Sequence, residues 1–163
     1  MACFSLLFPL IFSMVARGQQ LPDSEIWRVG DIAADICSVS EAAPMPVGVM
    51  PTALALTAIA WHESRLSARV QRCEGRPLPS VTLWQLEGRV AFGGHTRTEL
   101  CADTRLAASR ALAMLGRYSR RGSWHARFAG YHDGSMSTVA GDEMAAILAV
   151  MLRRTGLLAY ATK

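Results

Sequence analysis

Residues 51–66 read PTALALTAIAWHESRL. From Pro51 to Ala60 the run is apolar apart from two threonines, and it then turns abruptly polar. So uniform an apolar run predicts a helix buried on most of its sides rather than one with a single greasy stripe. Pro51 is well placed to open that helix, because a first-turn residue needs no N–H partner. The last turn delivers Trp61, His62, Glu63 and Ser64 to the point where the helix leaves the interior.

The segments on either side supply helices to surround it. Residues 24–40, SEIWRVGDIAADICSVS, place Ile26, Val29, Ala33, Ile36 and Cys37 at helical spacing after Ser24, a residue suited to capping. The connector EAAPMPVGVMP is punctuated by proline. Residues 71–98 are rich in Gly, Pro and polar residues and carry a short SVTLWQL run, read as strand or irregular chain. Helices return at 103–119, about 123–132 and 142–155. Asp103 and Asp142 suit helix N-termini, Gly156 follows the last helix, and Arg153 and Arg154 complement its C-terminal dipole. The expected class is mainly α, with one long irregular or short-β insertion after the helix that ends in Glu63.

A length of 163 residues suits one domain. With 51% hydrophobic and 18% charged residues and a mean hydropathy of +0.20, the chain is neither a disordered tail nor a polytopic membrane protein. The 13 Gly and 7 Pro show no period, which excludes collagen-like and low-complexity classes. Seventeen basic against 13 acidic residues give a net charge of +4 and a pI near 9.2, a modest bias toward polyanions. The arginines are spread (Arg65, Arg69, Arg72, Arg76, then Arg105 through Arg127) and read as solvated surface. No basic block is interleaved with aromatics, so nucleic acid is not expected as a partner.

Residues 1–16, MACFSLLFPLIFSMVA, carry no charge before Arg17, and their apolar core has the length of a signal-peptide h-region. Ala16 or Gly18 offers a small residue for cleavage, although the segment lacks a basic n-region and Met14 is large for its place. Residues 1–18 are therefore expected to be a signal peptide, or else an N-terminal helix that packs on the domain or anchors it. Residues 19–163 form the domain, and no stable membrane span is expected beyond the leader. Removal of the leader would take Cys3 with it and leave Cys37, Cys73 and Cys101. Cys73 and Cys101 flank the insertion and are the candidate disulfide; Cys37, among Ile32, Ala33 and Ile36, reads as a buried small hydrophobe. In a reducing compartment all three would be free thiols.

Glu63 stands out on position alone. A carboxylate closing a buried apolar helix is desolvated, which favours its protonated form, and a protonated Glu beside a groove is what glycoside cleavage needs as general acid. The plain alternative is a helix-end Glu paired with Arg65. His62 invites a zinc reading, but HESRL lacks the second His four positions on, so no metal site is expected. His95, His125 and His132 are isolated. No GxSxG elbow surrounds Ser64, which removes a hydrolase triad.

Three stretches in order, AIAWHESRL, TLWQL and WHARFAGYHDG, resemble the soluble lytic transglycosylase domain of the lysozyme-like superfamily. That family has an E-S dipeptide ending a buried helix, a G-L-M-Q-like segment about twenty residues on, and an A-Y-N-x-G element after a later helix. Glu63-Ser64 matches the first, Leu83-Trp84-Gln85 the second, and Tyr131 with Gly134 the third. Residues 24–155 are covered. The resemblance implies a lysozyme-like helical fold and a secreted, periplasmic or virion-associated monomer acting on peptidoglycan glycan strands without a cofactor. It makes Glu63 the catalytic acid and then base, with Ser64, Trp84, Gln85 and Tyr131 as substrate-binding residues; Ser64 would orient Glu63 or a sugar substituent, and Trp84 would stack on a sugar face or serve equally as a core tryptophan. Two positions depart from the pattern: Thr82 stands where the family has Gly, and His132 where it has Asn. A muramidase of the same fold would need a second carboxylate, Glu87 or Asp133. A non-catalytic wall-binding module, or a membrane-anchored bundle that binds partner proteins, are the readings from other classes.

Overall fold

The computed structural model describes residues 2–74 and 80–157; Arg76 and Lys163, counted above with the surface charge, lie outside them. Nine helices and one hairpin are formed by these residues: α1 (Ala2–Ala16), α2 (Asp23–Ala42), α3 (Val49–Ser64), α4 (Ala68–Gln71), β1 (Ser80–Val81), β2 (Leu86–Glu87), α5 (Gly88–Phe92), α6 (Arg97–Ala102), α7 (Thr104–Gly116), α8 (Trp124–Asp133) and α9 (Val139–Arg154). Helix takes 70% of the described residues and strand 3%, so the protein is mainly α with a short β insertion.

The apolar run at 51–60 is the axis of the core. Every residue of it is buried, and Leu54, Leu56 and Ile59 are wholly so; each such side chain contributes roughly 1.5–3 kcal/mol over an exposed one. Its two threonines bury their hydroxyls without loss, since Thr57 Oγ1 donates to Ala53 O at 2.9 Å and Thr52 Oγ1 to Gly48 O at 2.7 Å. Helices α1, α2, α7 and α9 pack around α3, and α8 lies against α9. The last pair approaches closely because Gly141 has no side chain: a Cβ there would fall 2.8 Å from Ala129 N.

Several caps fall near, though not always on, the expected residues. Asp103 caps α7, accepting from Leu106 N at 2.8 Å. Helix α2 starts two residues earlier than a Ser24 cap suggested, after Pro22, with no side-chain cap. Thr138 caps α9, which leaves Asp142 in the first turn, paired with His125. The insertion is more regular than expected. It holds the hairpin, α5 and α6, the last opened by a capping box between Thr96 and Glu99.

The cysteines correct one expectation. Cys73–Cys101 is bonded as anticipated, with Cα atoms 5.7 Å apart, and staples the start of the insertion to α6. Cys37 is not a solitary hydrophobe: it is bonded to Cys3, with Cα atoms 5.8 Å apart. Residues Ala2–Ala16 are folded here as α1, which buries Leu7 and Ile11 completely against α2 and α3. Along its outer side Phe4, Phe8 and Phe12 follow one another at 5.5 and 6.0 Å between ring centroids. Among the described residues no helix is long and apolar enough to cross a membrane.

Candidate active site

The buried helix α3 ends at Ser64 in a tight turn with Arg65 and Leu66 both left-handed (φ 54° and 56°). Ser64 holds that turn. Its hydroxyl donates to Ala60 O at 2.7 Å and accepts from Leu66 N at 3.2 Å, and the residue is buried. The structure thus commits Ser64 to the helix end that carries Glu63 instead of offering its hydroxyl to a ligand. Glu63 sits at the rim, with its side chain 18% exposed. Arg65, the expected partner of a plain helix-end Glu, lies over the Trp61 ring at 5.5 Å.

The TLWQ stretch is the turn of the β1–β2 hairpin, whose register pairs Ser80 with Glu87 and Val81 with Leu86. Trp84 points inward. It is fully buried, and its Nε1 donates to Leu56 O at 3.0 Å, which pins the hairpin to the middle of α3. A ring with no exposed face cannot stack on a sugar, so the substrate-binding role expected for Trp84 is corrected to that of an anchor. Gln85 is held by its neighbours: its Nε2 donates to Thr82 O at 2.9 Å, and its Oε1 accepts from Ser80 Oγ at 2.7 Å.

Tyr131, on α8, joins the other two segments. Its hydroxyl donates to Trp84 O at 2.8 Å. Burial pushes its phenol well above the ordinary tyrosine range, and the negative charge of Glu63 pushes it further the same way. Tyr131 is therefore a neutral donor locked onto the hairpin beside the Glu63 carboxyl. The hairpin turn and α8, far apart in sequence, meet at this bond, and the charge of Glu63 at the end of α3 acts on it.

Beside Tyr131 and Gln85 opens a cavity of about 260 Å³, lined by Gln85, Glu87, Tyr118, Tyr131, His132 and Asp133 among others; Glu63 is not one of its lining residues. Both candidate second carboxylates face it. Asp133 accepts from Ser135 N at 2.9 Å, and this backbone bond, with the Ser135 side chain and then nearby His132 and Arg121, holds its carboxyl below the usual range. A larger and mainly apolar cavity, about 680 Å³, lies elsewhere, between the end of α2, the 43–46 connector and α7; it contains none of the expected site residues.

Three participants escaped the sequence reading. Tyr118 lines the polar cavity, and its ring lies so near Gly130 that a Cβ there would come within 2.5 Å of Cγ. Glu143, on α9, bonds His62 Nε2 at 2.9 Å. No spacing in the sequence connects either to Glu63, since Tyr118 arrives on the turn after α7 and Glu143 on α9. Cys3 had a signal: four cysteines form two pairs if the N-terminal segment stays in place. Among the described residues no group of three or more His, Cys, Asp or Glu is arranged to hold a metal ion. Compared with family models, with curated proteins and with solved structures, the chain finds no match.

Proposed function

We propose that this protein is a peptidoglycan lytic transglycosylase of lysozyme-like fold that cleaves the β-1,4 bond between N-acetylmuramic acid and N-acetylglucosamine. The observation that carries the reading is the bond that ties Tyr131 to the Trp84-Gln85 turn beside a polar cavity, with the Glu63 carboxyl at the end of the buried helix near enough for its charge to act on the Tyr131 phenol. Glu63 in its protonated form gives its proton to the glycosidic oxygen as that bond breaks. The resulting carboxylate takes the proton of the muramoyl 6-hydroxyl, whose oxygen closes on C1 to leave a 1,6-anhydro end. A single carboxylate suffices because the nucleophile belongs to the substrate, whereas a hydrolase needs a second one for water or for covalent attack. Gln85 and Tyr131 border the cavity that receives the glycan. The two disulfides favour action outside the reducing cytosol, on an exported or virion-borne monomer.

One observation favours a second reading, hydrolysis by a muramidase. Asp133 and Glu87 line the same cavity, and Asp133 is stabilised as a carboxylate, the form that activates water. Mass spectrometry of fragments released from purified peptidoglycan separates the cases. Anhydro ends that fall by about 10²–10⁴-fold in Glu63→Gln are the expected result. Reducing ends that depend on Asp133 or Glu87 would make it a muramidase. Binding to the wall without any release would leave a non-catalytic module.

A further inference from the structure

The ring of His62 stands between two carboxylates. Its side chain is 16% exposed; Nε2 lies 2.9 Å from Glu143 Oε2 on α9, and Nδ1 lies 3.5 Å from Glu63 Oε1. Nδ1 is buried and has no hydrogen-bond partner. Both carboxylates can accept, but only Glu143 is at full hydrogen-bond distance, so the proton of a neutral His62 belongs on Nε2, bonded to Glu143. That choice leaves the Nδ1 lone pair bare and turned toward Glu63. An orphaned acceptor in a buried place is costly unless a donor reaches it. The nearest candidate donor is the O–H of a protonated Glu63, and closing 3.5 Å by a few tenths makes the bond.

We propose that Glu143 fixes His62 in its Nε2–H form so that the bare Nδ1 positions the Glu63 carboxyl and accepts a hydrogen bond from its protonated form. The assignment rests on the reading of Glu63 as general acid. His62 is a positioning residue: it touches neither glycan nor reacting atoms, and the proton that leaves Glu63 goes to the glycosidic oxygen. The charged and titratable groups about the pair come from each neighbouring element. Glu143 comes from α9 and Tyr131 from α8; Asp142 is engaged by His125, and Arg17 and Arg65 lie over the adjacent Trp61. A neutral ring that accepts from Glu63 stabilises its acid form, whereas a ring bearing the proton on Nδ1 stabilises the carboxylate instead.

Long-range proton–nitrogen NMR of the four imidazoles, with His62→Gln to assign the resonance, reads the tautomer without any glycan. The Nε2–H form in the wild type, lost or exchanging in Glu143→Ala, which removes the acceptor, is the expected result. Glu143 is largely exposed, so that variant tests the idea even where His62→Gln does not fold. On peptidoglycan, His62→Gln should cut the rate about 10- to 100-fold and move its alkaline limb to lower pH, with wall binding retained. Glu143→Ala should move the limb the same way. An Nδ1–H tautomer in the wild type, or one indifferent to Glu143→Ala, overturns the proposal. So does a pH profile unmoved in both variants. Undiminished cleavage by Glu63→Gln would sink the acid assignment itself, an outcome the tautomer measurement keeps separate.

Discussion

Residue by residue, the site is built from atoms with little freedom. Thr82 is the clearest strain: a β-branched residue at φ 67°, with its hydroxyl buried and unpartnered. Glycine alone adopts such a conformation cheaply, and the left-handed region costs other residues about 1–2 kcal/mol. Thr82→Gly removes that strain and the orphaned hydroxyl, at the expense of a buried methyl and a looser unfolded chain. A net gain of about 1 kcal/mol is expected, seen as a higher melting temperature; a loss would show that the methyl matters more than the backbone. Tyr131 gives a pH prediction. Its folded-state pKa is raised, so the folded chain keeps the phenol proton when the unfolded chain releases it. Its contribution is complete below the unfolded value near 10.0 and is lost as pH rises through the folded one. Melts at increasing alkalinity should therefore decline more steeply for the wild type than for Tyr131→Phe. Equal slopes would mean that the phenol is not held as described.

Among the elements, α3 was the most legible. Its apolar run, broken only by two threonines, had no reading other than burial, and the helices at 24–40, 103–119, 123–132 and 142–155 all exist with shifted ends. Their ends shifted because caps depend on three-dimensional partners: Thr138 starts α9 four residues before Asp142, which is occupied by His125. The hairpin was ambiguous in sequence because two-residue strands carry no periodicity, and its geometry is set by Trp84 reaching Leu56 O. The α8–α9 contact depends on one glycine. In Gly141→Ala the new methyl would meet the backbone of Ala129 and His125 at 2.8–3.0 Å, where no flexible side chain is available to yield. A destabilisation of about 1–3 kcal/mol is expected from such overpacking, measurable by denaturant unfolding, and the two helices that carry Tyr131 and Glu143 would separate.

Across the whole molecule, the two disulfides close loops of 34 and 28 residues, one tying the N-terminal helix to α2 and the other stapling the insertion. Loop-closure arguments assign each about 3–4 kcal/mol. Cys73→Ser with Cys101→Ser should lower the melting temperature of the oxidised protein, and added reductant should lower that of the wild type more. A wild type indifferent to reductant would mean that the bridges contribute nothing. Alkylation of the unfolded, unreduced protein supplies the control: no thiol should be modified. Loss of the Cys3–Cys37 bridge alone should loosen α1, the element held by one helix face and one covalent link, while α3 and α9 keep their exchange protection.

Local pattern determined the helical class, the burial of α3 and the placement of Glu63 at its end, because apolar periodicity and helix-end chemistry are properties of neighbouring residues. The pairing of Cys73 with Cys101 was also legible, as two cysteines bracketing one insertion. The rest needed the tertiary structure. Whether Trp84 faces a ligand or the core, whether Ser64 is free or engaged, and which helix brings a partner to His62 depend on contacts between residues tens of positions apart. Such contacts are decided by how helices pack, and no local pattern records which side chain a neighbouring helix will present.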